Sequence, residues 1–153
     1  MAGGDEGRIG RGCDPGVPQH AAGHATRPAR RIRDHSDLEV FVTARDAAMR
    51  IYELSFGFPV EERYSLTSQI RRSSRSVCAS LAEGWQKRRY ERAFVAKLLD
   101  AAGDADETRV WIDFAGRCEL LEPEEVEVLD ATYKSILGRL IRMVTRPQDW
   151  RIA

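Results

Sequence analysis

Histidine is absent beyond residue 35: His20, His24 and His35 are the only three, so the usual general base is missing from the part able to fold. Cysteine is scarce too. Cys13, Cys78 and Cys118 show no metal-type spacing, and an odd count argues against a disulfide framework. There is no apolar run near the ~18 residues of a membrane span and no apolar core of signal-peptide type. A soluble, reducing, cytoplasmic setting without membrane contact is therefore expected. Glycine-rich phosphate loops, GxSxG, HExxH and the Glu-x-x-His pairs of di-iron bundles are all missing. Cys78 reads as a buried thiol, and acidic Glu119 and Glu122 disfavour a thiolate at Cys118. Neither an enzyme nor a bound cofactor or metal is expected.

Net charge is absent as well, with 24 basic against 24 acidic residues in 153, so there is no global nucleic-acid signature. The distribution is uneven, however. Arg63 to Lys97 holds nine basic and two acidic residues, and Leu98 to Asp130 holds eleven acidic and two basic. Such blocks either pair, within one bundle or between subunits, or leave a basic face free for phosphate. Pairing needs no partner and is the favoured expectation.

Residues 1–35 carry seven of the twelve glycines, three of the six prolines and six arginines, with scattered aliphatics. They cannot bury enough surface to offset chain entropy and are expected to be a disordered tail. A start codon set too far upstream accounts for them equally well. Gly23 between His20 and His24 argues against a helical metal pair there.

The remainder, 36–147, reads as four helices, followed by an extension over 148–153. Ser36-Asp37-Leu38-Glu39 has capping-box form, and Phe41, Ala44, Ala48 and Ile51 then recur at helical steps. Pro59 sets a corner after Phe58. Leu66, Ile70, Ser73, Val77 and Leu81 form the stripe of a second helix rich in small residues, with Gly84 as its expected stop. Glu83, in the expected last turn, calls for a compensating cation and reads as an ion-pair anchor rather than a catalytic acid. Phe94, Leu98, Ala101, Ala105, Thr108, Ile112 and Ala115 alternate four-three over a third helix. Glu122-Pro123 opens a fourth, carrying Val126, Leu129, Tyr133, Ile136, Leu140 and Met143. No convincing strand pattern occurs, and short connections make an antiparallel up-down bundle the expected fold.

Two basic sets are candidates for contact with nucleic acid. Arg71, Arg72 and Arg75 share a face of the second helix. Lys87, Arg88, Arg89 and Arg92 follow Gly84, interleaved with Trp85 and Tyr90. Cations with aromatics hold phosphates and stack bases.

Phe58-Pro59, Glu62-Arg63-Tyr64, the run Leu66 to Arg72, and Leu81-Ala82-Glu83-Gly84 together resemble the signature of the 23S rRNA-intervening sequence family of four-helix bundle proteins. Within it, Pro59, Arg63, Tyr64, Gln69, Glu83 and Gly84 are structural positions. The similarity spans roughly Ser36 to Leu121. It implies a left-handed bundle, a homopentamer and no established enzymatic activity. Nucleic-acid binding is inferred for the family, and a related branch serves as accessory protein to a reverse transcriptase in diversity-generating retroelements. The resemblance thus leaves an RNA- or DNA-binding bundle beside a protein-interaction scaffold or accessory subunit. Members often carry Pro, Asn, Gly and Ser where this chain has Cys78, Ser80, Ser65 and Asp104; without that Pro the second helix is expected to run straight.

Overall fold

A computed structural model describes residues 32–152, which form four helices and contain no strand. The expected tail lies outside the described residues as far as residue 31. Order is already present before Ser36, and the cap is not the one expected. Asp34 and Asp37 make the reciprocal box around a short 3-10 turn, His35–Asp37, with the Asp34 N–H donating to Asp37 Oδ2 at 3.3 Å. Ser36 only donates to Asp34 Oδ2 at 3.1 Å. Leu38, 2 % exposed, is then drawn into the core, so α1 (Glu39–Leu54) begins one residue later, without a side-chain cap.

The N-terminal helix α1 buries Val40, Ala44, Ala47, Ala48 and Ile51. Phe58 is extended, as a residue before proline must be, and Pro59 leads into a single turn, Val60–Glu62. The second helix, α2 (Leu66–Gln86), is capped from outside: Glu62 Oε2 accepts the Leu66 N–H at 3.1 Å and the Ser65 hydroxyl. These two bonds, the Ser65 hydroxyl first, hold the Glu62 carboxyl below the usual carboxylate range. With cysteine at position 78, α2 runs unbroken.

Gly84 is not the stop that its type suggested. It is buried inside α2, and a Cβ there would lie 3.2 Å from Lys97 Cβ on the next helix. Glycine serves close approach at this point rather than a left-handed turn. The helix ends two residues later, where the Lys87 N–H bonds the Gly84 carbonyl at 2.8 Å.

All seven seam residues of α3 (Glu91–Arg117), from Phe94 to Ala115, are buried. The fourth helix, α4 (Pro123–Thr145), starts with proline at its first position, where the missing N–H costs nothing, and buries Leu129, Tyr133, Ile136, Leu140 and Met143. Each helix packs on its sequential neighbour, and α1 closes the square against α4 in an antiparallel up-down bundle. Pro147 ends α4 and begins a further 3-10 turn to Trp150, whose ring returns against the core. No described helix is long and apolar enough to cross a membrane.

Some polar groups are buried inside the bundle, Ser73, Ser74 and Thr108 among them. Thr108 Oγ1 lies 2.9 Å from Ser73 Oγ and 2.8 Å from the Asp104 carbonyl. The Tyr133 phenol, fully buried, has no hydrogen-bond partner among the described residues, and burial pushes its pKa upward. The Ser74 hydroxyl is near enough to oppose that rise, but it donates to the Arg71 carbonyl at 3.1 Å and no well-oriented bond reaches the phenol. Tyr133→Phe is therefore expected to leave stability unchanged or raise it by up to ~1 kcal/mol, since an unsatisfied buried hydroxyl is removed. Urea denaturation checks this; a loss above about 1 kcal/mol would mean that the phenol is engaged.

Candidate nucleic-acid interface

The α1–α2 corner holds the first basic set. Arg71 is half-buried; its Nε donates to Ser55 Oγ at 2.7 Å, and its guanidinium lies 4.9 Å from the Tyr52 ring centre and 5.2 Å from that of Phe56. The guanidinium of Arg75, itself exposed, lies 5.3 Å from the centre of the same Tyr52 ring. Arg72 is exposed and faces the α3 side, where its charge favours ionisation of Asp104. Burial nevertheless raises the Asp104 pKa, and the Ser80 hydroxyl, 3.1 Å from Oδ2, opposes that rise. Ser80 and Asp104, where the resemblance leads to Asn and Ser being expected, bond each other. Tyr52, in the last turn of α1, and Phe56, just beyond its end, carry the corner; their spacing of four was the available signal, but nothing local linked them to Arg71.

The second set lies on the short turn between α2 and α3. Arg88 stacks over the buried Trp85 at 3.3 Å from the ring centre. Its Nη1 is shielded from solvent without an acceptor among the described residues, and burial lowers its pKa, opposed by the nearby Asp34 carboxylate. Lys87, Arg89, Tyr90 and Arg92 are exposed around it, Tyr90 by 69 %. At 1.5 Å per residue along α2, the two sets are roughly 18 Å apart. They form two stations rather than one continuous patch.

Among the described residues, pairing of the basic block with the acidic half of α3, the favoured expectation, is confined to Lys97. Among the described residues, Lys97 alone of the nine block cations makes ion pairs, to Glu83 at 2.8 Å and Asp100 at 3.3 Å. Four further carboxylates of the acidic half have other partners. Arg109 bridges Asp106 and Asp130, Arg117 takes Asp113, Lys134 takes Asp130, and Arg50 takes Glu125 and Glu53. On α3 and α4, i,i+3 and i,i+4 spacing satisfies Asp106, Asp113 and Asp130, while Glu125 is held from α1 by Arg50. Glu83 is the ion-pair anchor expected of it, and the Lys97 bond holds its carboxyl below the ordinary range.

Of the remaining signature positions, Pro59, Arg63 and Tyr64 are exposed at the corner, with Tyr64 at 87 %. Gln69, half-buried, borders a shallow cleft of about 370 Å³ with Trp111 and Phe114. The Cys78 thiol is pushed up to about 11, first by burial, and stays protonated at neutral pH. No group of three or more metal-ligating side chains occurs among the described residues.

Residues 36–142 match the family model described as 23S rRNA-intervening sequence protein. The chain belongs to that family. Family membership thus extends through most of α4, beyond the region where signature residues alone were recognisable. A solved structure from Bacteroides thetaiotaomicron, described as a protein with unknown function from the S23 ribosomal protein family, is 27 % identical. It superposes with a TM-score of 0.63 over 69 % of this chain and 95 % of that one. No curated protein matches.

Proposed function

We propose that this member of the family is a non-enzymatic, cytoplasmic, homo-oligomeric bundle, pentameric by the family resemblance, that binds RNA through its α2–α3 turn. Lys87, Arg88, Arg89 and Arg92 hold phosphates, exposed Tyr90 offers a ring for a base, and Arg71, Arg72 and Arg75 form a second station. One observation carries this reading: among the described residues these seven cations form no salt bridge, whereas Lys97, Arg109 and Arg139 do. Unpaired guanidinium groups beside aromatics suit a polyanion with unstacked bases.

With four phosphates engaged, affinity for a structured RNA is expected to fall about a hundredfold between ~50 and ~200 mM salt, because each neutralised phosphate releases counterions. Arg88→Glu with Arg89→Glu should lower affinity at least about tenfold at low salt and flatten the salt dependence. Filter binding or fluorescence anisotropy reads both. Absence of binding at low salt, or indifference to the double substitution, would sink the proposal.

A second reading, a scaffold or accessory subunit for a protein such as a reverse transcriptase, is favoured by Phe56, Val60 and Tyr64. All three are at least 67 % exposed at the α1–α2 corner. It is separated from the first by light scattering on the same double variant: loss of assembly points to subunit contact, and retained assembly with lost RNA binding points to the turn.

A further inference from the structure

At the same end of the bundle as the α2–α3 turn, but between α1 and α4, the start of α1, the end of α4 and the turn after Pro147 border a cleft of about 740 Å³, within the usual range of small-molecule sites. Its apolar lining comes from Leu38, Val40, Met143 and the Trp150 ring, which the Pro147 turn folds back over the gap. Arg139, Arg142 and Arg146, spaced three and four apart on the final turns of α4 and its cap, supply the cations. Two carboxylates also border it, Glu39 and Asp149. Glu39 holds Arg139 Nη2 at 3.0 Å, but it is 83 % exposed and easily displaced by a better-desolvated anion. Arg139 Nη1 is shielded from solvent and has no acceptor among the described residues. A donor left in that condition is costly, and an incoming acceptor would satisfy it.

We infer that this cleft binds a small organic anion with a flat or acyl apolar body, its acidic head on Arg139 and Arg142 and its body against Met143 and Trp150. The pairing of a cationic rim with an apolar floor selects this class over bare phosphate and over neutral hydrophobes alike. The site is independent of the RNA reading, because its residues are not those of the α2–α3 turn.

The test titrates the full chain with anilinonaphthalene sulfonate, an aromatic anion, and with phenylnaphthylamine, its uncharged counterpart, following fluorescence. Expected are one saturable sulfonate site per chain, at least tenfold weaker binding of the amine, and displacement by decanoate but not by inorganic phosphate. Arg139→Met should weaken the sulfonate about tenfold and Arg142→Met several-fold, as lost charge-assisted bonds do, with little effect on the amine. Arg142 is exposed, so that substitution leaves the fold intact. Arg89→Glu should leave sulfonate binding unchanged. Equal binding of the amine, competition by phosphate as strong as by decanoate, or indifference to both arginine substitutions overturns the assignment.

Discussion

Phe94→Ala is expected to destabilise the bundle by about 3–5 kcal/mol, the usual range for truncating a fully buried aromatic. Phe94 is 1 % exposed in the first turn of α3, where its ring lies against Gly84: a Cβ built on that glycine would be 3.7 Å from Phe94 Cδ2. Glycine has no side chain to swing into the vacated space, so most of the cavity persists and its cost adds to the lost transfer energy. Phe114, on the same helix but 49 % exposed, is the control, and its truncation should cost under about 1 kcal/mol. Urea denaturation followed by circular dichroism measures both. Similar losses at the two positions would show that the α2–α3 contact is not packed as described.

Gly84→Leu is expected to cost about 3 kcal/mol or more, while Gly84→Ala stays within about 1 kcal/mol of the parent. For alanine, two effects oppose each other. Its methyl would sit 3.2 Å from Lys97 Cβ, tighter than ordinary contact, yet alanine is favoured over glycine inside a helix by nearly 1 kcal/mol. For leucine the helical gain is similar, but the extra atoms have nowhere to go except between α2 and α3, and the helices must separate. The Glu83–Lys97 bond beside it would be strained by the same movement. The thermal midpoint of the two variants reads the difference; a leucine variant as stable as the alanine one would mean that the close approach at position 84 is not a constraint.

How far such features were legible beforehand depended on whether their cause was local. The α3 seam was fully visible because a four-three alternation over seven residues has one physical meaning, a stripe that must be covered. Pro123 and the acidic first turn of α4 were equally plain. Gly84 was misread because glycine has two uses near a helix end, and only the position of Lys97 across the gap distinguishes them. The cap at Ser36 was misplaced because burial of Leu38 outweighed a well-formed S-x-x-E pattern. For the basic sets, residue types and positions were apparent, but what Arg71 rests on was not, since Ser55 and Tyr52 lie sixteen or more residues away. The arginine-rimmed cleft was out of reach for the same reason: its walls come from the two ends of the bundle sequence.

The buried Ser73–Thr108 contact has a consequence beyond its modest energy. Helices that bury Ala and Ser along one stripe can slide past one another with little penalty. Ser73 and Thr108 limit that freedom twice over. A one-turn displacement of α2 along α3 would bring the bulkier Ile70 or Val77 to the level of Thr108, and would separate two hydroxyls that now meet at 2.9 Å. The pair thus acts as a notch that fixes the axial register of the two longest-contacting helices, and with it the height at which the α2–α3 turn presents its cations.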